Sequence, residues 1–157
     1  MDLLESLKHL ADMQSEIRAD KSWRYLSYES LVVNEGIVMG PSFAKRAERY
    51  GEWKQCYANS YAAAEMNGWS YVEGYAASVI PVLHAWCLDE EGTLVETTWD
   101  EPADEYVGIV MDTEWVLSVC AETGYWGVLA NDWMRQGVLL KHGVNEEMDR
   151  WRRSRNG

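Results

Sequence analysis

Apolar residues recur at helical spacing near the start of the chain, with charged residues between them. The stripe contains six apolar side chains: Leu3, Leu4, Leu7, Leu10, Ala11 and Ile17. Intervals of three and four residues place side chains on one face of a helix, so the pattern predicts an amphipathic helix packed on a core. Helical spacing returns in the last third of the chain and predicts three further helices: Thr113–Glu122, Asn131–Lys141 and Asn145–Arg155.

The centre of the chain changes from a helical to an alternating pattern. Gln55–Met66 is rich in alanine and is followed by Asn67-Gly68, which predicts a helix and its stop. Four strand-like runs follow: Trp69–Val79, Val82–Leu88, Thr93–Thr98 and Tyr106–Val110. We therefore expect a central antiparallel sheet with the preceding helix packed against it.

Two shorter elements are predicted upstream of that helix. Leu31–Met39 is rich in branched residues and ends at Gly40-Pro41, which predicts a strand and a stop. The Ser42 hydroxyl is suited to accept a hydrogen bond from a free amide, so it predicts the N-cap of a short helix through Tyr50.

These elements predict a single α+β domain. A chain of 157 residues, 47% of them hydrophobic, is long enough to bury a core, and it shows no internal repeat or linker. The expected parts are N-terminal helices and a strand in residues 1–52, the helix and sheet of residues 53–110, and C-terminal helices in residues 111–157.

The charge of the chain is strongly acidic, with a formal net charge of −12. An acidic surface repels phosphate backbones, so nucleic acid is not an expected partner. The charge provides solubility, and it is also typical of small proteins whose carboxylates imitate nucleic acid and occupy a basic groove on a partner.

Cysteine usage and hydropathy bear on location. Three cysteines, none spaced as Cys-x-x-Cys, indicate free thiols in a reducing compartment. Charges are scattered through residues 1–20, unlike a signal peptide, and no run approaches the roughly 18 apolar residues of a membrane helix. We expect a soluble, cytoplasmic protein that does not contact a membrane.

Metal and cofactor sites are not predicted. The three histidines His9, His84 and His142 are far apart in the chain, and no Cys/His cluster has ligand spacing. No glycine-rich phosphate loop is present either. We interpret Cys87 and Cys120 as core residues.

Cys56 stands in the first turn of the predicted central helix. Unpaired amides and the positive end of the helix dipole favour a thiolate there, and the amide of Cys56 can help to form an oxyanion hole. Gln55, Tyr57 and Asn59 are the candidates for a second oxyanion donor, and the sequence does not choose among them.

His84 and Glu96 lie on the two strands of a predicted hairpin. Asp89–Thr93 fits a three-residue loop with Gly92 in the left-handed conformation. The resulting register predicts three facing pairs: Asp89 with Thr93, Trp86 with Glu96, and His84 with Thr98. His84 and Glu96 then share a face as diagonal neighbours, whereas a loop one residue longer or shorter sends Glu96 to the opposite face.

The order Cys56, His84-Ala85-Trp86 and Val95-Glu96-Thr97-Thr98 resembles the core of the transglutaminase-like branch of the papain-like cysteine hydrolases. Small bacterial and phage proteins are also similar, with runs like Tyr71-Val72-Glu73-Gly74 and Tyr106-Val107-Gly108-Ile109 around the histidine. The resemblance covers about residues 53–110. Glu96 departs from the pattern, because the family usually has Asp at that position.

The resemblance implies a cysteine-dependent acyl hydrolase or acyltransferase acting through a thioester. Cys56 is then the nucleophile, His84 the base and Glu96 the residue that orients His84. The substrate is expected to be an amide of a peptide or protein: a peptide bond, an isopeptide or a glutamine side chain. Trp86 and Trp99 are expected either to line the acyl groove or to pack in the core.

Two other interpretations fit the same residues. One is a non-catalytic acidic protein that keeps the fold and blocks a host enzyme, as phage-type inhibitors do. The other is a degenerate enzyme in which His84 and Glu96 form a purely structural pair.

Overall fold

The computed structural model describes residues 2–18, 20–40, 45–46, 51–52 and 54–156. Within this part of the chain there are six α-helices: α1 (Leu3–Ile17), α2 (Tyr28–Glu35), α3 (Cys56–Asn67), α4 (Thr113–Thr123), α5 (Val138–His142) and α6 (Val144–Asn156). The strands are β1 (Ile37–Met39), β2 (Lys45–Arg46), β3 (Ser70–Ala77), β4 (Val82–Leu88), β5 (Leu94–Glu96) and β6 (Glu105–Met111). The fold is α+β, as predicted.

The strands form one sheet in the order β1-β6-β3-β4-β5-β2. In this order, each strand from β1 to β5 is antiparallel to its neighbour, and the two-residue β2 runs parallel to β5. Helix α3 contacts both β3 and β4, so the predicted packing of this helix on the sheet is confirmed. None of the described helices has the length and apolar character needed to cross a membrane.

Three predicted elements have the bounds that the sequence suggested. Helix α1 begins at Leu3, and the side chain of its N-cap Asp2 accepts a hydrogen bond from the Glu5 amide in a capping box. Helix α3 begins at Cys56 and ends before Gly68, which has a left-handed φ of 68°. Helix α6 closely matches the predicted C-terminal helix.

The predicted strand over Leu31–Met39 is wrong for most of its length. The side chain of Ser27 accepts a hydrogen bond from the Ser30 amide and starts α2 at Tyr28. The adjacent branched residues are buried on this helix, and only the last three residues of the run pair with β6. Branched side chains thus indicated burial here, not strand geometry.

Two predicted helices also need correction. Lys45 and Arg46 form β2, so the helix expected from Ser42 to Tyr50 is wrong at these two residues. The rest of that prediction lies outside the described residues. The helix expected over Asn131–Lys141 is broken at Gln136 and Gly137, which both have positive φ, into a 3₁₀ helix and α5.

The β4–β5 hairpin has the predicted register. Gly92 has a φ of 78°, and Cys87 pairs with Val95. The carboxylate of Asp89 accepts hydrogen bonds from the amides of Glu91 and Thr93 and holds the turn. Because the turn has this length, the side chains of His84 and Glu96 point to the same side of the sheet.

The two faces of the sheet carry different layers. Ala85 and Cys87 of β4 belong to the main core on the helix-covered face, where Cys87 Sγ donates to the Ser60 carbonyl of α3. The opposite face carries a smaller buried cluster of residues from several strands and the loop before β6: Met39, Val72, Ala76, Trp86, Leu94, Ala103 and Tyr106. His84 alternates with Ala85, so its side chain lies on the face of this second cluster.

Candidate functional site

His84 and Glu96 form a buried pair on the second face of the sheet. Nε2 of His84 lies 2.8 Å from Oε1 of Glu96, and the two side chains are 1% and 0% exposed. An ionised carboxylate can only accept, so the Nε2 nitrogen carries the proton and Nδ1 is the nitrogen able to accept one. The predicted proximity of the two residues is therefore present in the structure.

The carboxylate of Glu96 has hydrogen-bond donors on both oxygens. Besides His84, the Tyr106 hydroxyl donates to Oε1 at 2.8 Å, and the amides of Thr98 and Trp99 donate to Oε2 at 3.0 and 3.2 Å. Burial alone would raise the pKa of Glu96, but the hydrogen bonds, with the largest contribution from His84, hold it below its ordinary value. The site thus keeps an ionised carboxylate beneath the imidazole.

Trp99 covers the imidazole of His84. The ring centroids are 3.6 Å apart and the ring planes are inclined by only 8°. Trp86 packs below, with its ring centroid 6.1 Å from that of His84. Both rings contact the imidazole and contribute to its near-complete burial.

Cys56 is the first residue of α3 and is half-buried against the main core. Burial raises the pKa of its thiol to about 11, and the carboxylates of Glu73 and Glu96 act in the same direction. Hydrogen bonds from the backbone amides of Ala85 and Tyr57 oppose this rise. The thiol is therefore protonated at neutral pH, and it lies beside the strand residue that follows His84.

Cys56 lies against the backbone of β4 next to His84, where its sulfur accepts a hydrogen bond from the Ala85 amide. No hydrogen bond links the Cys56 sulfur to the imidazole in the described part of the chain. Ala85 packs in the main core with α3, whereas alternation along β4 directs the His84 side chain toward the other face.

Two side chains, those of Asn59 and Ser60, connect the start of α3 to the chain that follows β5. The Asn59 side-chain amide donates to the Glu52 carbonyl at 3.1 Å and to the Thr98 hydroxyl at 3.0 Å. The Ser60 hydroxyl lies 2.8 Å from the Thr97 hydroxyl. The same turn after β5 therefore contacts α3 through its threonines and Glu96 through its backbone amides.

The other predicted site residues have separate positions in the fold. Asn59 uses both of its amide hydrogens within the fold, so it is not an available oxyanion donor in this arrangement. Gln55 is exposed at the N-cap of α3, and its side chain makes no capping hydrogen bond. Trp86 is fully buried, with Nε1 donating to the sulfur of Met39, so it packs in the core.

Sequence reasoning missed Tyr106, which completes the surroundings of Glu96. Its hydroxyl donates to Glu96 and accepts from the Ala103 amide at 2.9 Å. Tyr106 lies on β6, which is separated from β5 by two strands, and the loop after Trp99 brings the two together. The sequence signal that could have identified Tyr106 is the alternation of β6, because it places Tyr106 and Gly108 on the face of His84.

A second buried carboxylate, Glu73, lies on the helix-covered face of β3. It accepts hydrogen bonds from the Tyr71 hydroxyl at 2.6 Å and from the amides of Val128 and Leu129 at 2.7 and 2.9 Å. Burial raises the pKa of Glu73 despite these bonds. Glu73 fixes the loop after α4 and, through it, the surroundings of Tyr57, since Gly127 packs on the Tyr57 ring.

The remaining candidates occupy structural positions. Cys87 and Cys120 are buried in the main core, as predicted, and His9 is exposed on α1. His142 is the last residue of α5 before Gly143. Among the residues that the structure describes, no three His, Cys, Asp or Glu side chains are grouped to hold a metal ion.

Comparison of the chain with family models, with curated proteins and with solved structures gives no match.

Proposed function

We propose that this protein is a cysteine-dependent acyl hydrolase or acyltransferase that attacks an amide carbonyl of a peptide or protein. The observation that carries the proposal is the bond from His84 Nε2 to the ionised Glu96 carboxylate, which leaves Nδ1 as the acceptor. A base oriented in this way beside a cysteine at a helix N-terminus is the arrangement that thiol acyl transfer requires.

The reaction proceeds in two steps. The proton of Cys56 Sγ passes to His84 Nδ1 as sulfur forms a bond to the carbonyl carbon. The free amides at the start of α3 stabilise the oxyanion. The C–N bond then breaks, and the imidazolium returns the proton to the leaving amine. Water or a second amine, deprotonated by His84, attacks the thioester, and the C–S bond breaks to restore the thiol.

The raised pKa of Cys56 makes the base essential. With a pKa of about 11, the thiol is almost entirely protonated at neutral pH, so attack requires that its proton be taken during the reaction. Glu96 stabilises the imidazolium that forms, because its charge lies 2.8 Å from Nε2.

Catalysis also requires movement around β4. His84 is enclosed, with Trp99 stacked on it, so its imidazole is closed to a substrate. The turn of residues 97–99 contacts both α3 and Glu96, so displacement of this turn by a substrate exposes the imidazole toward Cys56. The arrangement described above is the closed one.

The test uses p-nitrophenyl acetate as an acyl probe and mass spectrometry to locate the acetyl group. We expect one acetyl group on Cys56 in the wild type, none at that position in Cys56→Ala, and much slower acetylation in His84→Gln. His9→Gln is the matched control, because His9 is exposed on α1, and it should react like the wild type. Acetylation of Cys56 no faster than in urea-denatured protein would sink the proposal.

The second candidate is a non-catalytic acidic protein that keeps the fold and binds a host protein. It is favoured by the net charge of −12 together with the closed arrangement, in which no hydrogen bond joins the described Cys56 and His84 side chains. It predicts that Cys56→Ala binds the partner as the wild type does, with an affinity that falls as salt concentration rises. The catalytic proposal predicts loss of function in the same variant.

A further inference from the structure

A cleft lies apart from Cys56, His84 and Glu96. It is formed by α2, α5 and the segment that follows α1. Its volume is about 530 Å³, within the range of small-molecule sites. Three aromatic residues line it, Trp23, Tyr28 and Trp133, together with the cationic side chains of Arg18 and Lys141. Aromatic walls with two cations are unusual on a chain with a net charge of −12.

Both cations lie over the same indole. The guanidinium carbon of Arg18 is 4.2 Å from the centroid of the Trp23 ring, and Lys141 Nζ is 5.0 Å from it. Neither cation forms an ion pair with a carboxylate in the described part of the chain. Asp20 acts on Arg18 only at longer range, since its carboxylate is bonded to the amide and hydroxyl of Ser22.

The Arg18 guanidinium is held in position by the backbone. Its Nη1 donates to the Leu26 carbonyl at 3.2 Å, which uses one of its five N–H donors. The other donors and the ammonium of Lys141 give the cleft a local positive potential, although the rest of the molecule is acidic. An anion is therefore favoured in this cleft, and a cation is disfavoured.

The lining of the cleft includes one residue with a strained backbone, Gln136. Gln136 has a φ of 61°, and it is one of two non-glycine residues with positive φ among those described. Gly137 follows with a φ of 71°, and a Cβ there would lie 2.8 Å from the Trp23 ring. The left-handed conformation costs conformational free energy at Gln136, whereas glycine adopts it readily at Gly137. Here they bring the chain against Trp23 and leave Trp133 70% exposed at the mouth.

We propose that this cleft binds a small planar aromatic anion, with a carboxylate or phosphate between Arg18 and Lys141 and its ring against Trp133. The charge of the lining selects the anion, and the indole rings supply flat apolar contact area. The size of the cleft limits the ligand to a molecule of one or two fused rings. This site does not require Cys56, and its occupation is independent of any acyl transfer.

Isothermal titration with two naphthalene probes tests the proposal. Naphthylacetate carries the anion, and naphthylethylamine presents the same ring system with a positive charge. We expect naphthylacetate to bind with one-to-one stoichiometry, at least roughly tenfold more tightly than the amine, because the cations attract one probe and repel the other. Failure of naphthylacetate to bind, or equal affinity for the two probes, would overturn the proposal.

Variants then locate the site. Arg18→Gln and Lys141→Gln should each weaken naphthylacetate binding roughly tenfold, whereas Lys8→Gln on α1 should leave it unchanged. Trp133→Ala should also weaken binding, with Trp126→Ala, an exposed tryptophan outside the cleft, as its control. Lys141→Arg should retain binding, so that a loss in Lys141→Gln is not mistaken for misfolding. Unchanged affinity in both glutamine variants would contradict the assignment.

Discussion

The indole of Trp99 lies flat on the imidazole of His84, with ring centroids 3.6 Å apart. The backbone amide of Trp99 donates to the same Glu96 carboxylate that holds His84 Nε2. One carboxylate therefore fixes both the imidazole and the ring that covers it. Access to His84 and the position of the turn after β5 are linked through Glu96.

Replacement of Trp99 by alanine should expose His84. We expect diethylpyrocarbonate to modify His84 faster in Trp99→Ala than in the wild type, because the covering ring is gone and the imidazole reaches solvent. Trp99→Phe keeps a flat ring at this position and should stay protected. Modification can be followed by peptide mass spectrometry, with the exposed His9 as an internal reference. Equal protection in all three proteins would mean that other residues enclose the imidazole.

Replacement of Glu96 by glutamine should destabilise the fold strongly, although it changes only one carboxylate oxygen to an amide nitrogen. Four donors converge on the carboxylate, and a glutamine amide cannot accept from all of them. We expect the free energy of unfolding in urea to fall by about 2–3 kcal/mol. Glu101→Gln alters an exposed carboxylate and should change the free energy of unfolding by less than about 0.5 kcal/mol. A similar small change in Glu96→Gln would show that the network contributes little.

The buried carboxylates of Glu96 and Glu73 should affect the pH dependence of stability in opposite directions. The folded pKa of Glu96 is lowered, so its stabilising contribution is present above its unfolded pKa, about 4.3, and is lost as pH falls through the folded pKa. The folded pKa of Glu73 is raised by burial. Its favourable contribution is present at low pH and is lost as pH rises through the folded pKa.

Urea unfolding of wild type, Glu96→Gln and Glu73→Gln between about pH 3 and pH 7 measures this difference. The destabilisation caused by Glu96→Gln should increase with pH, and that caused by Glu73→Gln should decrease. Parallel trends for the two variants would contradict the pKa directions.

The Gly92 turn should tolerate asparagine better than alanine. Gly92 has a φ of 78°, and nothing lies within 4 Å of an added Cβ, so the cost of a side chain comes from backbone strain alone. Gly92→Ala should lower the free energy of unfolding by about 1 kcal/mol, and Gly92→Asn should lower it less, because asparagine adopts this conformation more readily. Equal effects would mean that the turn relaxes to another conformation, which amide NMR shifts of Glu96 would reveal.

The sequence predicted the local part of the site and missed the part made by distant segments. Glu96 reaches His84 because a three-residue loop with Gly92 sets the hairpin register, and both signals lie within fifteen residues. Tyr106 reaches Glu96 only through the loop before β6, which has no periodic pattern. The strand predicted over Leu31–Met39 became mostly helix because branched residues indicate burial as well as strand geometry.

The relation of Cys56 to His84 shows the same limit. Strand alternation correctly placed His84 and Cys87 on opposite faces of β4. The sequence did not reveal which face α3 covers, because that choice is made by contacts such as Ser60 with Thr97 and Asn59 with Thr98. Order along the chain therefore singled out three candidate residues, and only the proximity of His84 and Glu96 followed from a local pattern.

The shortness of β5 has a consequence for association between molecules. Among the described residues, only Cys87 and Leu88 of β4 pair with β5. The half of β4 around His84 therefore has no described strand neighbour on its β5 side. An open strand edge is a template for pairing with another chain, and a covering helix prevents this. The start of α3 occupies that position, since the sulfur of Cys56 accepts a hydrogen bond from the Ala85 amide. We expect changes that loosen α3, such as Asn59→Ala, to promote aggregation before the rest of the fold is lost.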